Sequence, residues 1–343
     1  MHQRRPRAAP GQCHGAHSRR HGRALRAQRT RRHRRPPATP LRQPRGLGAR
    51  FSTPAHRIVT APPDVRAPGA PRPERAIRGV VIDLDGTALE RVPRLHARTR
   101  ASLRAAAART PVIVATGRMY LSALPWAREL HIREPLVCYD GAVVRAMPES
   151  GETLGPVLRA EPLPREQAVR ALHLARQHGW YCQVYADEQI LCEGLRPESD
   201  LYSRVSGIPV HEVADTEPYV SAGTPKVLFV VIDAAENARC RRVLHEQLDS
   251  GARVTQSRPE YIEVVNASVN KAVSAQAVTA LLGLSLADCL AIGDAPNDIE
   301  MLQAAGFAAA VATAPVEVLE HADVVCAPPQ EGGVADVLEA LGI

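Results

Sequence analysis

Apolar positions along the chain fall into distinct regimes. Through residues 1–76 they follow neither a strand nor a helix period, and 12 prolines interrupt them. At residue 77 the pattern changes abruptly. Residues 77–82 form a short β-branched run that predicts a buried strand, 93–108 read as a helix, and 111–115 as a second strand. Near the C-terminus the alternation resumes: a helix over 271–282, a strand over 289–292, a helix from 299, a strand over 307–312, a helix over 315–321, a strand at 324–325 and a last helix to 341. Short apolar strands alternating with helices predict an α/β fold. About 150 residues separate the second strand from residue 271, too many for a connecting loop. Within 148–266 we read helices over 165–178 and 234–249, with strands over 180–185, 189–192, 226–232, 253–256 and 261–265. That predicts an inserted α/β domain at 148–266, with 77–147 and 267–343 forming the main domain.

Composition changes the picture mainly at the N-terminus. The chain has 343 residues, 45% apolar and 23% charged, which excludes wholesale disorder. No apolar run reaches the 18 residues of a membrane span, so no membrane partner is expected. The net charge of +7 hides two opposite parts. Residues 1–76 hold 19 Arg and two acids, a charge of +17, which leaves −10 on 77–343. The basic character belongs to a tail expected to be disordered, since it cannot bury enough surface to offset chain entropy. Its runs RRPR, RRH and RTRRHRR fit an arginine-rich arm for nucleic acid or acidic lipid, a transit-like presequence, or translated leader upstream of the true start. The last reading is preferred because the protein has just two Lys among 43 basic residues, as a GC-rich gene would give. With three Phe and two Trp there is no aromatic interleaving, so nucleic acid is not the expected partner. Seven scattered cysteines without a CxxC pair exclude a zinc site of usual spacing and a disulfide framework, and predict a reduced, cytoplasmic protein.

Candidate chemistry sits at strand ends. The first strand runs into Asp83-Leu84-Asp85-Gly86-Thr87, two carboxylates at the C-terminal end of a buried strand, where open α/β sheets place their sites. A bare DxD would be a solvated loop end; the full motif after an apolar strand is far more specific. The second strand ends in Thr116-Gly117-Arg118, a hydroxyl and amides that make a small anion cradle. The strand at 289–292 leads into Gly293-Asp294-Ala295-Pro296-Asn297-Asp298. Taken alone this is an Asp cap with a proline behind it, but Asp294 and Asp298 can close on one face, and an all-oxygen set suits Mg²⁺ first.

Together these pieces resemble the haloacid dehalogenase superfamily of phosphatases, most closely its Cof-type branch. The resemblance is carried by DLDGT (83–87), ATGR (115–118), Lys271 and GDAPND (293–298) followed by IEML. It implies a Rossmann-like, doubly wound parallel sheet with an inserted α/β cap of the C2 type. It also implies roles. Asp83 would be the nucleophile that forms an aspartyl-phosphate, and Asp85 the acid and then the base. Thr116, Gly117, Arg118 and Asn297 would bind substrate, and Lys271 would neutralise charge. Asp83, Asp294 and the main-chain carbonyl of Asp85 would hold Mg²⁺, with Asp298 supporting them. Crowding of these acids is expected to raise the proton affinity of Asp85. The implied activity is Mg²⁺-dependent hydrolysis of small phosphorylated metabolites such as sugar phosphates. The alternatives are a phosphotransferase or phosphomutase using the same intermediate, and a nucleic-acid-binding protein acting through the tail. Two positions depart from the family pattern: Ala295-Pro296 follows GD, and Asp140-Gly141-Ala142 replaces the common Asn-Gly-Ala, placing a carboxylate beside the cleft. In the inserted segment Arg196, Tyr202, Arg204 and Lys226 are substrate-contact candidates, each more often an ordinary surface or helix-face residue.

Overall fold

The structure is a computed structural model that describes residues 62–343. The arginine-rich runs fall in 1–61, outside the described residues. The chain opens with β1 (Gly79–Ile82), α1 (Ala97–Ala107), β2 (Val112–Val114) and α2 (Tyr120–Glu129). An antiparallel set follows: β3 (Leu136–Cys138), β4 (Val143–Arg145) and β5 (Val157–Ala160). The inserted segment contributes α3 (Arg165–His178), β6 (Cys182–Ala186), β7 (Gln189–Cys192), α4 (Pro197–Ser206), β8 (Val210–Glu212) and α5 (Glu217–Ala222). It continues with β9 (Lys226–Val230), α6 (Ala234–Gln247), β10 (Ala252–Arg258) and β11 (Tyr261–Asn266). The chain ends with α7 (Lys271–Leu281), β12 (Cys289–Gly293), α8 (Ile299–Ala304), β13 (Phe307–Val311), α9 (Val316–Leu319), β14 (Val324–Cys326) and α10 (Gly333–Leu341).

The main sheet is parallel with order β14-β13-β12-β1-β2. The chain leaves β1 for β2 on one side and later returns to β12 on the other, so β1 lies at a topological switch point. Both faces are covered, as the continuous apolar strands require. Val80, Ile82, Val112, Val114, Leu290 and Ile292 pack with Leu103 of α1 and Val334 and Val337 of α10. Their neighbours in alternation, Val81, Ile113 and Ala291, pack with Ala275 and Val278 of α7 and Met301 of α8. This is the expected doubly wound core.

The inserted sheet has order β10-β11-β9-β6-β7-β8. Its alternation divides the labour between its faces. Val184, Val227, Phe229, Ile262 and Val264 bury against Ala171 and Leu172 of α3 and Leu244 of α6. The residues between them, Gln183, Lys226 and Glu263, are buried as well but belong to the opposite face. That face turns to the main domain, as its hydrogen bonds below record.

Three expectations are corrected. Residues 62–76 belong to the fold: Asp64 bridges Val325 of β14 in parallel, the Val65 amide donates to the Val325 carbonyl (2.8 Å), the Val325 amide donates to Pro63 (2.8 Å), and Val65 is fully buried. A proline-rich stretch with a single buried Val carries no period, yet it covers the open edge of β14, a position that tolerates proline. The insertion also begins later than 148, because β5 pairs with β4. Its first own element is α3. Finally α4, β8 and α5 fill a stretch where no element was expected; α4, with sequence PESDLYSRVS, is largely polar.

Candidate active site

Three strand ends of the main sheet converge. The β1 end delivers Asp83, which is buried, and Asp85; the β2 end delivers Thr116, Gly117 and Arg118; the β12 end delivers Asp294. Gly86 is required for this closeness: its φ is +90°, and a Cβ there would collide with Asp294 Oδ2. The Thr87 hydroxyl donates to Asp294 Oδ1 at 2.5 Å. Pro296 begins a single tight turn, and Asp298 ties it off by accepting the amides of Asp294 and Ala295 at 3.0 Å each. The proline therefore stiffens the loop without displacing its carboxylates.

Lys271 reaches this cluster from the first position of α7. Asn270 caps the helix through its side chain, accepting the Val273 amide at 2.8 Å. A cation at a helix N-terminus opposes the macrodipole, and here it is held by two acids: Nζ donates to Asp83 Oδ1 at 2.6 Å and to Asp298 Oδ1 at 2.7 Å.

Carboxylate oxygens of Asp83, Asp294 and Asp298 lie within 4.8 Å of one another. Burial, opposed by Lys271 and reinforced by Asp298 and Asp294, raises the Asp83 carboxyl well above its usual range. Burial and Asp298 push Asp294 up to about 7, against the Thr87 hydrogen bond and Lys271. Crowded acids of this kind fit a hard divalent cation, which would stabilise their charged forms. Oxygen-only donors fit Mg²⁺.

Asp85 departs from expectation. Its side chain lies outside the group of acids that could hold a metal ion. Two guanidinium groups hold the carboxylate: Arg118 Nε donates to Oδ2 (2.6 Å) and Nη2 to Oδ1 (2.8 Å), and Arg258 Nη2 donates to Oδ1 (2.7 Å). Burial would raise its proton affinity, but Arg118 and Arg258 outweigh it and hold the carboxyl below its usual range. The expected rise is therefore overturned for Asp85; Asp83 and Asp294 carry it instead.

The remaining predicted residues are close by but differently engaged. Thr116 is buried and its Oγ1 accepts the Arg118 amide at 3.2 Å. Gly117 passes so near Asp140 that a Cβ would lie 2.9 Å from Oδ1, and its carbonyl accepts Lys226 Nζ at 2.7 Å. Asn297 donates to Asp140 Oδ1 at 2.7 Å. Asp140 also faces Lys226 at 3.3 Å. Burial would raise its carboxyl, but Lys226, Lys271 and the Asn297 hydrogen bond hold it below the usual range. The charge expected to burden the cleft is thus paired, and not free to repel a substrate.

Of the candidates in the inserted domain, Tyr202 and Lys226 line a small inner chamber together with Asp83, Thr116 and Gly117. Arg196 instead donates to the Gly179 carbonyl, and Arg204 is exposed. Arg258 and Glu263 also line the chamber and were missed. Glu263 left a signal, a lone acid at an alternating position of YIEVVN. Arg258 left none: it follows a register shift in β10, and its partner is 173 residues away.

Phosphoryl transfer asks a protein for positioning and charge neutralisation. The cleft offers groups for both. The model of the haloacid dehalogenase-like hydrolase family matches residues 80–338, and the chain belongs to that family. A phosphoglycolate phosphatase of Archaeoglobus fulgidus is 27% identical over 266 residues, 78% of this chain and 97% of that protein. An HMP-PP phosphatase of Serratia proteamaculans is 29% identical over 231 residues, 67% of this chain and 81% of that protein. A solved haloacid dehalogenase-like hydrolase from Bacteroides thetaiotaomicron superposes with a TM-score of 0.67 at 25% identity, covering 77% of this chain and 98% of that one. The protein is a haloacid dehalogenase-like hydrolase with a Rossmann-like core and an inserted α/β domain. No helix among the described residues is long and apolar enough to cross a membrane.

Proposed function

We propose that the protein hydrolyses small phosphorylated metabolites in two displacements through an aspartyl-phosphate on Asp83, with Mg²⁺ held by Asp83, Asp294 and the main chain at Asp85. The observation that carries this reading is the setting of Asp83. It is buried at a strand end, bonded to Lys271 at 2.6 Å, grouped with Asp294 and Asp298, and next to the Thr116-Gly117 loop. A carboxylate nucleophile splits hydrolysis into two easier steps. In the first, an Asp83 oxygen bonds phosphorus as the ester P–O bond breaks, and Asp85, ionised while both arginines hold it, gives the leaving oxygen the proton it took from water in the preceding turnover once an arginine has withdrawn. In the second, Asp85 takes a proton from water as the water oxygen bonds phosphorus and the Asp83–phosphorus bond breaks. Lys271 and the Thr116 hydroxyl offset charge on the phosphoryl oxygens. Mg²⁺, when bound, supplies further charge neutralisation there. Asp298 holds Lys271 and the 294–295 amides in place.

The test is a panel of phosphomonoesters assayed with Mg²⁺. Hydrolysis should vanish in excess chelator, and Asp83→Asn should fall to background with no labelled phosphoenzyme. Mg²⁺ should also raise the melting temperature of the wild type, and Asp294→Asn should lose that rise. Full turnover in chelator, or substantial turnover by Asp83→Asn, sinks the reading.

A further inference from the structure

Three guanidinium hydrogen bonds take up most of the accepting capacity of the Asp85 carboxylate. Oδ1 accepts from both Arg118 and Arg258, and Oδ2 accepts from Arg118. A leaving oxygen must compete with these guanidinium groups for the carboxylate, and the doubly bonded Oδ1 is freed when one of them withdraws.

The two arginines are not equally fixed. Arg118 is buried in the main domain, and its Nη1 donates to Ser122 Oγ at 2.8 Å; that hydroxyl donates in turn to the Ser206 carbonyl at 2.5 Å. Arg258 comes from the end of β10 in the cap. Its other bonds, 3.0 Å from both Nη1 and Nη2, go to the carbonyl of Arg91, an exposed loop residue. Arg258 is the one placed to move.

Its position also says what it would meet. Asp85, Ser257 and Arg258 stand between two spaces. The inner chamber, about 30 Å³, is lined by Asp83, Thr116 and Gly117, the residues of the phosphoryl end. The outer groove, about 600 Å³, also carries Arg91 and Arg241 and opens beside Asp294. With the phosphoryl group inside, the leaving half of a substrate passes Arg258 on its way into a groove where Arg91 and Arg241 stand beside Asp294 and Glu317.

We propose that Arg258 is a specificity residue that leaves Asp85 for a carboxylate or phosphate on the leaving half of the substrate, so that the enzyme favours phosphomonoesters carrying a second anion. The proposal rests on the phosphatase reading above. A guanidinium fork matches either oxyanion. An anionic leaving half frees Asp85 and keeps Arg258 paired. A neutral one leaves Arg258 either on Asp85, blocking it, or buried without a counter-charge, which is unfavourable.

The experiment compares matched substrates with Mg²⁺: 2-phosphoglycolate, its neutral counterpart 2-hydroxyethyl phosphate, and ethylene glycol bisphosphate, with 4-nitrophenyl phosphate as the control for phosphatase activity. Wild type should prefer the anionic members in kcat/KM by on the order of ten- to a hundredfold, the worth of a charge-assisted hydrogen bond. Whichever anionic member is preferred identifies the oxyanion. Arg258→Gln should bring the ratio near one, and Arg258→Lys should retain part of it. If Arg258→Gln fails to fold by circular dichroism, the ratio in Arg258→Lys decides: a ratio equal to wild type overturns the proposal. A wild-type ratio near one, with 4-nitrophenyl phosphate hydrolysed, overturns this inference alone. No hydrolysis of any ester overturns the phosphatase reading and this inference with it.

Discussion

Asp83 and Asp85 are the same side chain two residues apart, yet their surroundings push them in opposite directions. Asp83 faces other acids and one lysine; Asp85 faces two arginines. Substitution should separate their roles. Asp85→Asn keeps the nucleophile but loses the proton donor and the base, so an alkyl phosphate should turn over on the order of 10²–10⁴-fold more slowly. An aryl phosphate needs little protonation of its leaving group, so the first displacement should recover and the second should not. Rapid-quench labelling followed by peptide mapping should then find phosphate accumulating on Asp83; label on another residue would refute the assignment. Most of this cluster was legible in the sequence, because each member sits where a short apolar strand meets a turn, and that junction is a local pattern. The state of Asp85 was not. Counting acids in the motifs predicts mutual repulsion, whereas the deciding groups are Arg118, whose orientation no spacing reveals, and Arg258, brought by a distant hairpin.

At the scale of elements, β9 and β11 couple the cap to the main domain through buried charge. Lys226 of β9 bonds the Gly117 carbonyl and faces Asp140 at 3.3 Å and Glu263 of β11 at 3.7 Å. Breaking a buried pair from one side is more damaging than removing both partners. Lys226→Met should therefore cost about 3–5 kcal/mol in chemical denaturation. Adding Asp140→Asn should return part of that loss, with a coupling of about 1–3 kcal/mol in a double-mutant cycle. Strictly additive losses would mean that the pair does not act as a unit. Glu263 gives the same network a pH signature. Burial pushes its carboxyl up to about 7, against the pull of Lys226 and its hydrogen bonds to Ser257. Because the folded state binds this proton more tightly than the unfolded chain does, its contribution is fully present below the unfolded value and is lost as pH rises through about 7. The melting temperature should fall across that window, and Glu263→Gln should flatten the fall. An identical slope in the variant would rule Glu263 out as its source.

At the scale of the molecule, the site exists because β1, β2 and β12 end side by side, and that adjacency depends on a sheet whose far edge is closed by a segment with almost no sequence signal. Alternating strands and helices made the main domain readable from residue 77 onward, since burial on both faces leaves unbroken apolar runs. Residues 62–76 escaped that reading because one buried Val and a few main-chain hydrogen bonds suffice to cover an edge, and prolines suit such a position. Their removal should nevertheless be felt. Exposing Val65 and the rim of β14 forfeits about 2–4 kcal/mol from apolar burial and the lost hydrogen bonds. For a domain of this size that corresponds to a drop of roughly 5–10 °C in melting temperature. Comparing the fragments 62–343 and 77–343 by calorimetry tests this. The shorter fragment should melt lower and, with the hydrophobic and unpaired edge of β14 open, associate more readily as concentration rises. Equal melting temperatures would show that the 62–76 segment lies on the sheet without supporting it.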